Sequence, residues 1–435
     1  MANTTLTKTF GSAGNQKTWT WSGWIKRGNI TSGGGAPSQL IIFANYTSSS
    51  IRQYISFNND QFYTYGQYSG VDVIEATSSS VYRDPSAWYH IVVKCDTTQG
   101  TASDRFKVYV NGSEISLSFT TTPSVDADLP INDNGNHYIG SSNGSANYFD
   151  GSMAMVQFVD GTALGPEYFG STDSTTGIWT PEASSTISSY GTNGFKLKMD
   201  TATPGADTSG NTNTFTVGTG TPTLTQGSPS NVYANMATPT WFDGVISNGG
   251  TTVSTQGTTA YRYQSSTLGM NSGKYYWEVK LATLGNYMLT GITGSTNYVT
   301  GSYNILGSQA TDYSVLYNDA GGNGHKYNNA GASPTNTPGA FMGGFSTNDI
   351  LTFALDCDNN TLKIGANGQW SNGSGSTNQT FSNTTAISIT APASTPSEFY
   401  FPACGEYGGA DNVWNWNFGE GFFGTTAAGT QADDN

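Results

Sequence analysis

Nowhere along the 435 residues do apolar side chains recur at the i, i+3, i+4, i+7 spacing that turns one face of an α-helix toward a core. Short runs rich in Val, Ile, Tyr, Phe and Thr alternate instead with clusters of Gly, Asn, Asp and Ser. Glycine contributes 55 residues, nearly double its usual share of about 7%. A chain patterned in this way satisfies its backbone by pairing strands, so the fold class it predicts is all-β. At roughly 150 residues per domain the length allows two or three domains. The pattern is the signature of sandwiches or barrels of antiparallel strands.

In the first half, Trp19-Thr20-Trp21-Ser22-Gly23-Trp24-Ile25 alternates large and small residues, as a half-buried strand does. Trp88-Tyr89-His90-Ile91-Val92-Val93-Lys94-Cys95 is the strongest strand signal. Phe106 to Val110 runs into Asn111-Gly112, a dipeptide that tolerates the positive φ of a tight hairpin. Between 200 and 240 the composition shifts to Thr, Gly, Pro, Ser and Asn, with Pro204, Pro222, Pro229 and Pro239 as punctuation. The second half repeats the β pattern in Lys274 to Lys280, Asp349 to Asp356, Thr361 to Ile364 before Asn367-Gly368, and Val413 to Phe418. The expected organisation is a domain over 1–200, an extended connector over 201–239 with Phe215-Thr216-Val217 along a domain surface, a second domain over 240–424, and a loose acidic tail over 425–435.

Aromatics at 13% supply too much apolar surface for a disordered chain. The net charge is −14, and the longest basic run is Lys26-Arg27, so nucleic acid is a poor partner and an anionic membrane surface is disfavoured. No stretch approaches the ~20 apolar residues of a spanning helix. Met1-Ala2-Asn3-Thr4-Thr5 shows no charged region followed by an apolar core, so no export signal is expected. Cys95, Cys357 and Cys404 lack CxxC spacing and read as buried small hydrophobes of a chain folded in a cytoplasm.

Trp19 to Lys26, the Trp88 to Val93 strand with the Val108 to Gly112 hairpin, and Tyr148-Phe149-Asp150-Gly151-Ser152-Met153-Ala154 together resemble the concanavalin A-like lectin/glucanase (laminin G-like) jelly roll, over roughly 1–200. Gly273-Lys274-Tyr275-Tyr276-Trp277-Glu278-Val279, Asp349-Ile350-Leu351 leading to Leu355-Asp356, the Asn367-Gly368 turn and Asn417-Phe418-Gly419 resemble a SPRY domain, over about 240–424. Asp207 to Val217 with Ser228-Pro229-Ser230-Asn231 looks like the connector of phage virion proteins in which such modules sit side by side. The resemblances imply two β-sandwich (jelly-roll) domains in tandem, and a fibre or decoration protein of a virion, assembled in the host cytoplasm, that contacts a host-surface glycan or receptor and other virion proteins. They imply a homo-oligomer, with a trimer as the usual fibre form. No heptad repeat is present to drive one.

Retaining glycosidases need two carboxylates about 5–5.5 Å apart. The glucanase branch carries them as Glu-x-Asp-x-x-Glu, and none of the eight Glu residues here falls into that pattern. His90 reads as a satisfied sheet histidine. Gly-x-Ser-x-Gly around Ser374 is Gly/Ser low complexity, not a strand-to-helix elbow. The chain therefore reads as no enzyme and requires no cofactor. Lectin-like jelly rolls often bind calcium through loop oxygens, which makes Asp126, Asp128 and Asp133 the metal candidates, alongside Asn132 and Asn134. The plain alternative is an Asx-rich turn satisfying its own backbone. Sugar binding calls for an aromatic face with amide and carboxylate partners. The loop-side candidates are Tyr63, Tyr65, Tyr68, Asp133, Asn134 and His137 in the first domain, and Tyr298, Tyr303, Tyr313, Tyr317 and Tyr327 in the second. Trp277, Trp414 and Trp416 alternate along strands, and their faces stay open. The expected function is non-enzymatic binding of a surface glycan or protein. A purely structural virion subunit and a secreted bacterial lectin are the alternatives.

Overall fold

The computed structural model describes residues 3–28, 30, 39–182, 187–236, 244–255, 262–285, 287–295, 306–317, 324–327, 340–406 and 411–429. Among them the only helical turns are three-residue 3-10 segments, and every sheet pairing is antiparallel. No helix among the described residues is long and apolar enough to cross a membrane. The chain divides into two compact units, Met1–Val232 and Tyr233–Asn435.

The first unit is a sandwich of an eight-stranded and a six-stranded sheet. The larger runs Leu117–Thr121, Val71–Val81, Gln61–Tyr68, Ile51–Asn58, Gln39–Ser48, Asn136–Ile139, Thr5–Thr9 and Thr216–Thr219 in spatial order. The smaller runs Phe195–Leu197, Gly151–Asp160, Thr18–Arg27, Trp88–Asp96, Phe106–Val110 and Ser113–Glu114. Alternate residues of both sheets, among them Trp19, Trp21, Phe43, Phe57, Phe62 and Phe158, fill one core between them. Tight turns set the register. Asn111 and Gly112 take φ of 49° and 81°, both in the left-handed region that a two-residue hairpin requires. A Cβ on Gly112 would also lie 2.6 Å from the Trp179 ring.

The Thr18–Arg27 strand departs from the half-buried expectation. Trp19, Trp21 and Ile25 face the core, yet Thr20 and Ser22 on the other side are also buried. The reason is the excursion after Asp160, which folds back over the outer face of the six-stranded sheet. Thr20 Oγ1 donates to the Thr162 carbonyl at 2.8 Å and accepts the Leu164 N–H at 2.7 Å. Phe169 and Tyr190 form a second small core there with Val92 and Val159.

The segment expected to be a connector over 201–239 is largely part of the first unit. Asp207 accepts backbone N–H groups of Lys196, Ser209 and Asn213 at 2.7–2.9 Å. The Asn211 and Asn213 amides donate to carbonyls of Gly191, Thr192 and Gly194. Phe215 is 2% exposed and meets Phe195 edge to face, at 4.8 Å between ring centroids. Thr216–Thr219 then closes the edge of the large sheet. The polar, glycine-rich stretch is a set of Asx turns anchored by one aromatic residue. The tail expectation also shifts, because Thr426–Ala427 pairs with Phe422–Phe423; 430–435 lies outside the described residues.

The second unit repeats the two-sheet plan. One sheet orders Val245–Ser247, Thr252–Ser254, Val413–Asn417, Lys274–Thr283, Ile350–Asp356, Thr361–Ala366, Gln369–Ser371 and Thr377–Gln379, with Ile387–Ser388 beside Thr361–Ala366. The other orders Arg262–Ser265, Phe401–Glu406, Met288–Thr293, Asp312–Tyr317, Gly324–Tyr327 and Ala340–Met342. Trp277, Trp414 and Trp416 all belong to the core between them, which settles their open face. Trp277 stacks on Phe353 at 5.4 Å, and Trp414 Nε1 donates to Thr290 Oγ1 at 2.9 Å.

Candidate functional site

A sheet buries one face in the sandwich and must do something with the other. In the first unit the two sheets differ sharply. The outer face of the six-stranded sheet is covered at its centre by the segments 162–182 and 187–190, with Trp179 over His90. Trp179 Nε1 donates to His90 Nδ1 at 2.9 Å, and the His90 ring stacks on Trp24 at 4.7 Å. His90 Nε2 then carries the proton and donates to Ser22 Oγ at 2.9 Å. Burial pushes the imidazole down to about 3, so it is held neutral and fully hydrogen-bonded. His90 is a satisfied sheet histidine.

The middle of the eight-stranded sheet's outer face carries tyrosines. Strand alternation places Arg52 and Tyr54 outward on Ile51–Asn58, and Tyr63, Tyr65 and Gln67 outward on Gln61–Tyr68. Register aligns Tyr54 with Tyr65, Arg52 with Gln67, and Tyr65 with Glu75. On the far side Ala44 pairs with both Tyr54 and Tyr138, so a small residue separates two aromatic rows. Tyr54, Tyr63, Tyr65 and Tyr138 are all half-buried, each ring keeping part of its surface open.

Diagonal hydrogen bonds fix the rings. Tyr63 Oη donates to Glu75 Oε1 at 2.9 Å, and Tyr65 Oη donates to Asp72 Oδ1 at 2.7 Å. Gln67 Nε2 donates to the same Asp72 oxygen at 3.2 Å. The Arg52 guanidinium lies 5.6 Å from the Tyr65 ring centre. Burial raises the Tyr54 hydroxyl to about 12. Burial and then the carboxylate bonds raise Tyr63 and Tyr65, so all three remain protonated at neutral pH. The arrangement offers aromatic faces with carboxylate and guanidinium groups beside them. It holds no base poised against a nucleophile.

Residues 3–167 match the family model of the concanavalin A-like lectin/glucanases superfamily. That match takes in every strand of this face except Thr216–Thr219. No curated protein matches the chain. Among solved structures, the SPRY domain of human HERC1 is similar at 16% identity over 40% of this chain and 91% of that one, with a TM-score of 0.28. The TRIM65 PSpry domain is similar at 9% identity over 40% and 83%, also with a TM-score of 0.28.

The structure sorts the sequence candidates. Tyr63 and Tyr65 come together, on a sheet face where loops were expected, because both sit mid-strand. Tyr68 ends that strand at its hairpin, half-buried. His137 has no solvent exposure and cannot touch a ligand. Its Nε2 accepts the Asn132 N–H at 3.1 Å and its Nδ1 donates to the Gly135 carbonyl at 3.1 Å; burial lowers it to about 4. Asp133 is likewise buried, leaving Asn134 exposed alone in that turn. Asn132 bonds Asp160 and Asn193 in an internal knot, not an ion. Asp126 lies 3.9 Å from Lys17 Nζ. Among the described residues no three His, Cys, Asp or Glu converge, so Asp126, Asp128 and Asp133 form no carboxylate cage.

In the second unit Tyr313 is core, its hydroxyl accepting the Thr390 N–H at 2.9 Å. Tyr317 packs on Phe345 at 5.4 Å. Both lie on the Asp312–Tyr317 strand, which the local Gly/Asn content disguised as loop. Tyr298 and Tyr303 lie outside the described residues, and Tyr327 closes the Gly324–Tyr327 strand. Sequence reasoning missed Arg52, Tyr54, Asp72, Glu75 and Tyr138. The available signal was Arg52-x-Tyr54 and Tyr63-x-Tyr65-x-Gln67 on either side of a short turn, a period-two polar aromatic pattern on two neighbouring strands.

Proposed function

We propose that this chain is a non-catalytic binding protein that holds a surface glycan on the tyrosine face of its eight-stranded sheet, as a fibre or decoration component of a phage particle. One observation carries the glycan reading: the centre of the six-stranded sheet's outer face is covered by described parts of the excursion after Asp160, whereas the other sheet presents hydrogen-bonded tyrosines in register. Rings oriented in advance present their negative faces to the polarised C–H groups of a sugar and lose little entropy on binding. The match of residues 3–167 to a lectin/glucanase superfamily agrees with it. The particle context rests on the resemblance of the Asp207 to Asn231 segment to virion connectors, with other virion proteins as partners and a homo-oligomer supplying avidity. No cofactor enters this reading, and calcium chelation is expected to leave binding unchanged.

The test is a glycan array with the full chain, repeated with Tyr54→Ala/Tyr65→Ala. Loss of an aromatic anchor costs about 2 kcal/mol, about thirtyfold in Kd. The array hits should vanish in the variant while its melting curve stays cooperative. A folded wild-type chain that retains no glycan would leave the structural-subunit role in its place.

A further inference from the structure

The tyrosine face also has a sign. The protons of Tyr63 and Tyr65 are already committed to Glu75 Oε1 and Asp72 Oδ1, so these phenols meet a ligand as acceptors. No described residue donates to Glu75 Oε2 or Asp72 Oδ2. Among the described residues Arg52 is the one cationic side chain beside these tyrosines, against the two carboxylates of Asp72 and Glu75, in a chain whose net charge is −14. The two carboxylates therefore outweigh the single guanidinium on this face.

We infer that the occupant of this face is an uncharged, hydroxyl-rich oligosaccharide, and that sulfated and uronic-acid glycans are rejected; this rests on the glycan reading above. A neutral sugar donates its hydroxyl protons to these phenol and carboxylate oxygens and lays its C–H faces on Tyr54 and Tyr65. A sulfate or carboxylate would be carried toward Asp72 and Glu75, where like-charge juxtaposition costs several kcal/mol.

The experiment is titration calorimetry of the full chain against unsubstituted glucan, mannan and galactan oligosaccharides, each beside its sulfated derivative, at low and at physiological salt. For whichever backbone binds, the sulfated derivative should be at least about tenfold weaker. The gap should shrink as salt screens the repulsion, and again in Asp72→Asn/Glu75→Gln. A sulfated derivative that binds equally or more tightly, and is lost in Tyr54→Ala/Tyr65→Ala, overturns the charge inference and keeps the glycan reading. No binding by any member, or binding indifferent to the tyrosine variant, overturns the glycan reading itself.

Discussion

At Asp60 a carboxylate without solvent exposure receives Arg27 Nη2 at 2.7 Å and Arg83 Nε at 3.0 Å. Arg27 is equally buried, lies 4.6 Å over the Phe57 ring, and donates to the Tyr82 carbonyl. Burial lowers its pKa, and the Asp60 bond pulls the other way, so the pair stands or falls together. Removing one member strands the other: Asp60→Ala should lose about 3–5 kcal/mol by urea denaturation, where an exposed pair would lose under about 1 kcal/mol. Nothing in the spacing of Arg27 and Asp60 advertises this contact, which depends on a hairpin turn meeting the end of a strand from the opposite sheet. The histidines behave otherwise. His90 near 3 and His137 near 4 both lie below the ordinary value of 6.5. As pH falls below 6.5 the unfolded chain takes up protons first, so their share of stability is present above 6.5 and lost down to 3–4. Asp312, raised to about 6 mainly by burial, works with the opposite sign, adding stability to the second unit as pH falls from about 6 toward 3.8. Nitrogen-detected NMR should show both rings still neutral at about pH 5 in folded protein. Charged rings there would contradict the buried, hydrogen-bonded placement.

The Thr18–Arg27 strand was legible as an element, because Trp-x-Trp alternation with a small residue between has the period of a pleated strand. Its second buried face was not, since the cover comes from residues some 140 positions later in sequence. Trp179 makes that cover specific. Trp179→Phe keeps the stacked ring and the packing on Gly112, but leaves His90 Nδ1 as a buried acceptor without its donor. That single loss should cost about 1–3 kcal/mol in thermal or chemical denaturation, with glycan binding on the opposite sheet unchanged. A variant as stable as wild type would mean the indole N–H contributes nothing there.

On the scale of the molecule, the two sandwiches divide after Val232, and the first contains the whole tyrosine face. A chain ending at 232 should fold cooperatively and bind glycan with the affinity per site of the full chain. One ending at 200 loses Phe215 from the core and the Asp207 turn, and removal of a buried aromatic alone costs about 3–5 kcal/mol. It should melt far lower or aggregate, and equal stability of the two would refute the assignment of 207–219 to the first unit. What the amino-acid sequence determined by itself is everything carried by local pattern: an all-β chain, most strand positions, the Asn-Gly turns, and the presence of two β-rich halves. Each depends on side-chain period or on φ preference within a few residues. The tertiary structure alone decided which tyrosines stand on one open face, which histidines are sealed, and where the connector ends. Those depend on register and on which distant segment covers a sheet face; apart from the Arg52-x-Tyr54 and Tyr63-x-Tyr65 alternation, the sequence carries no local mark of them.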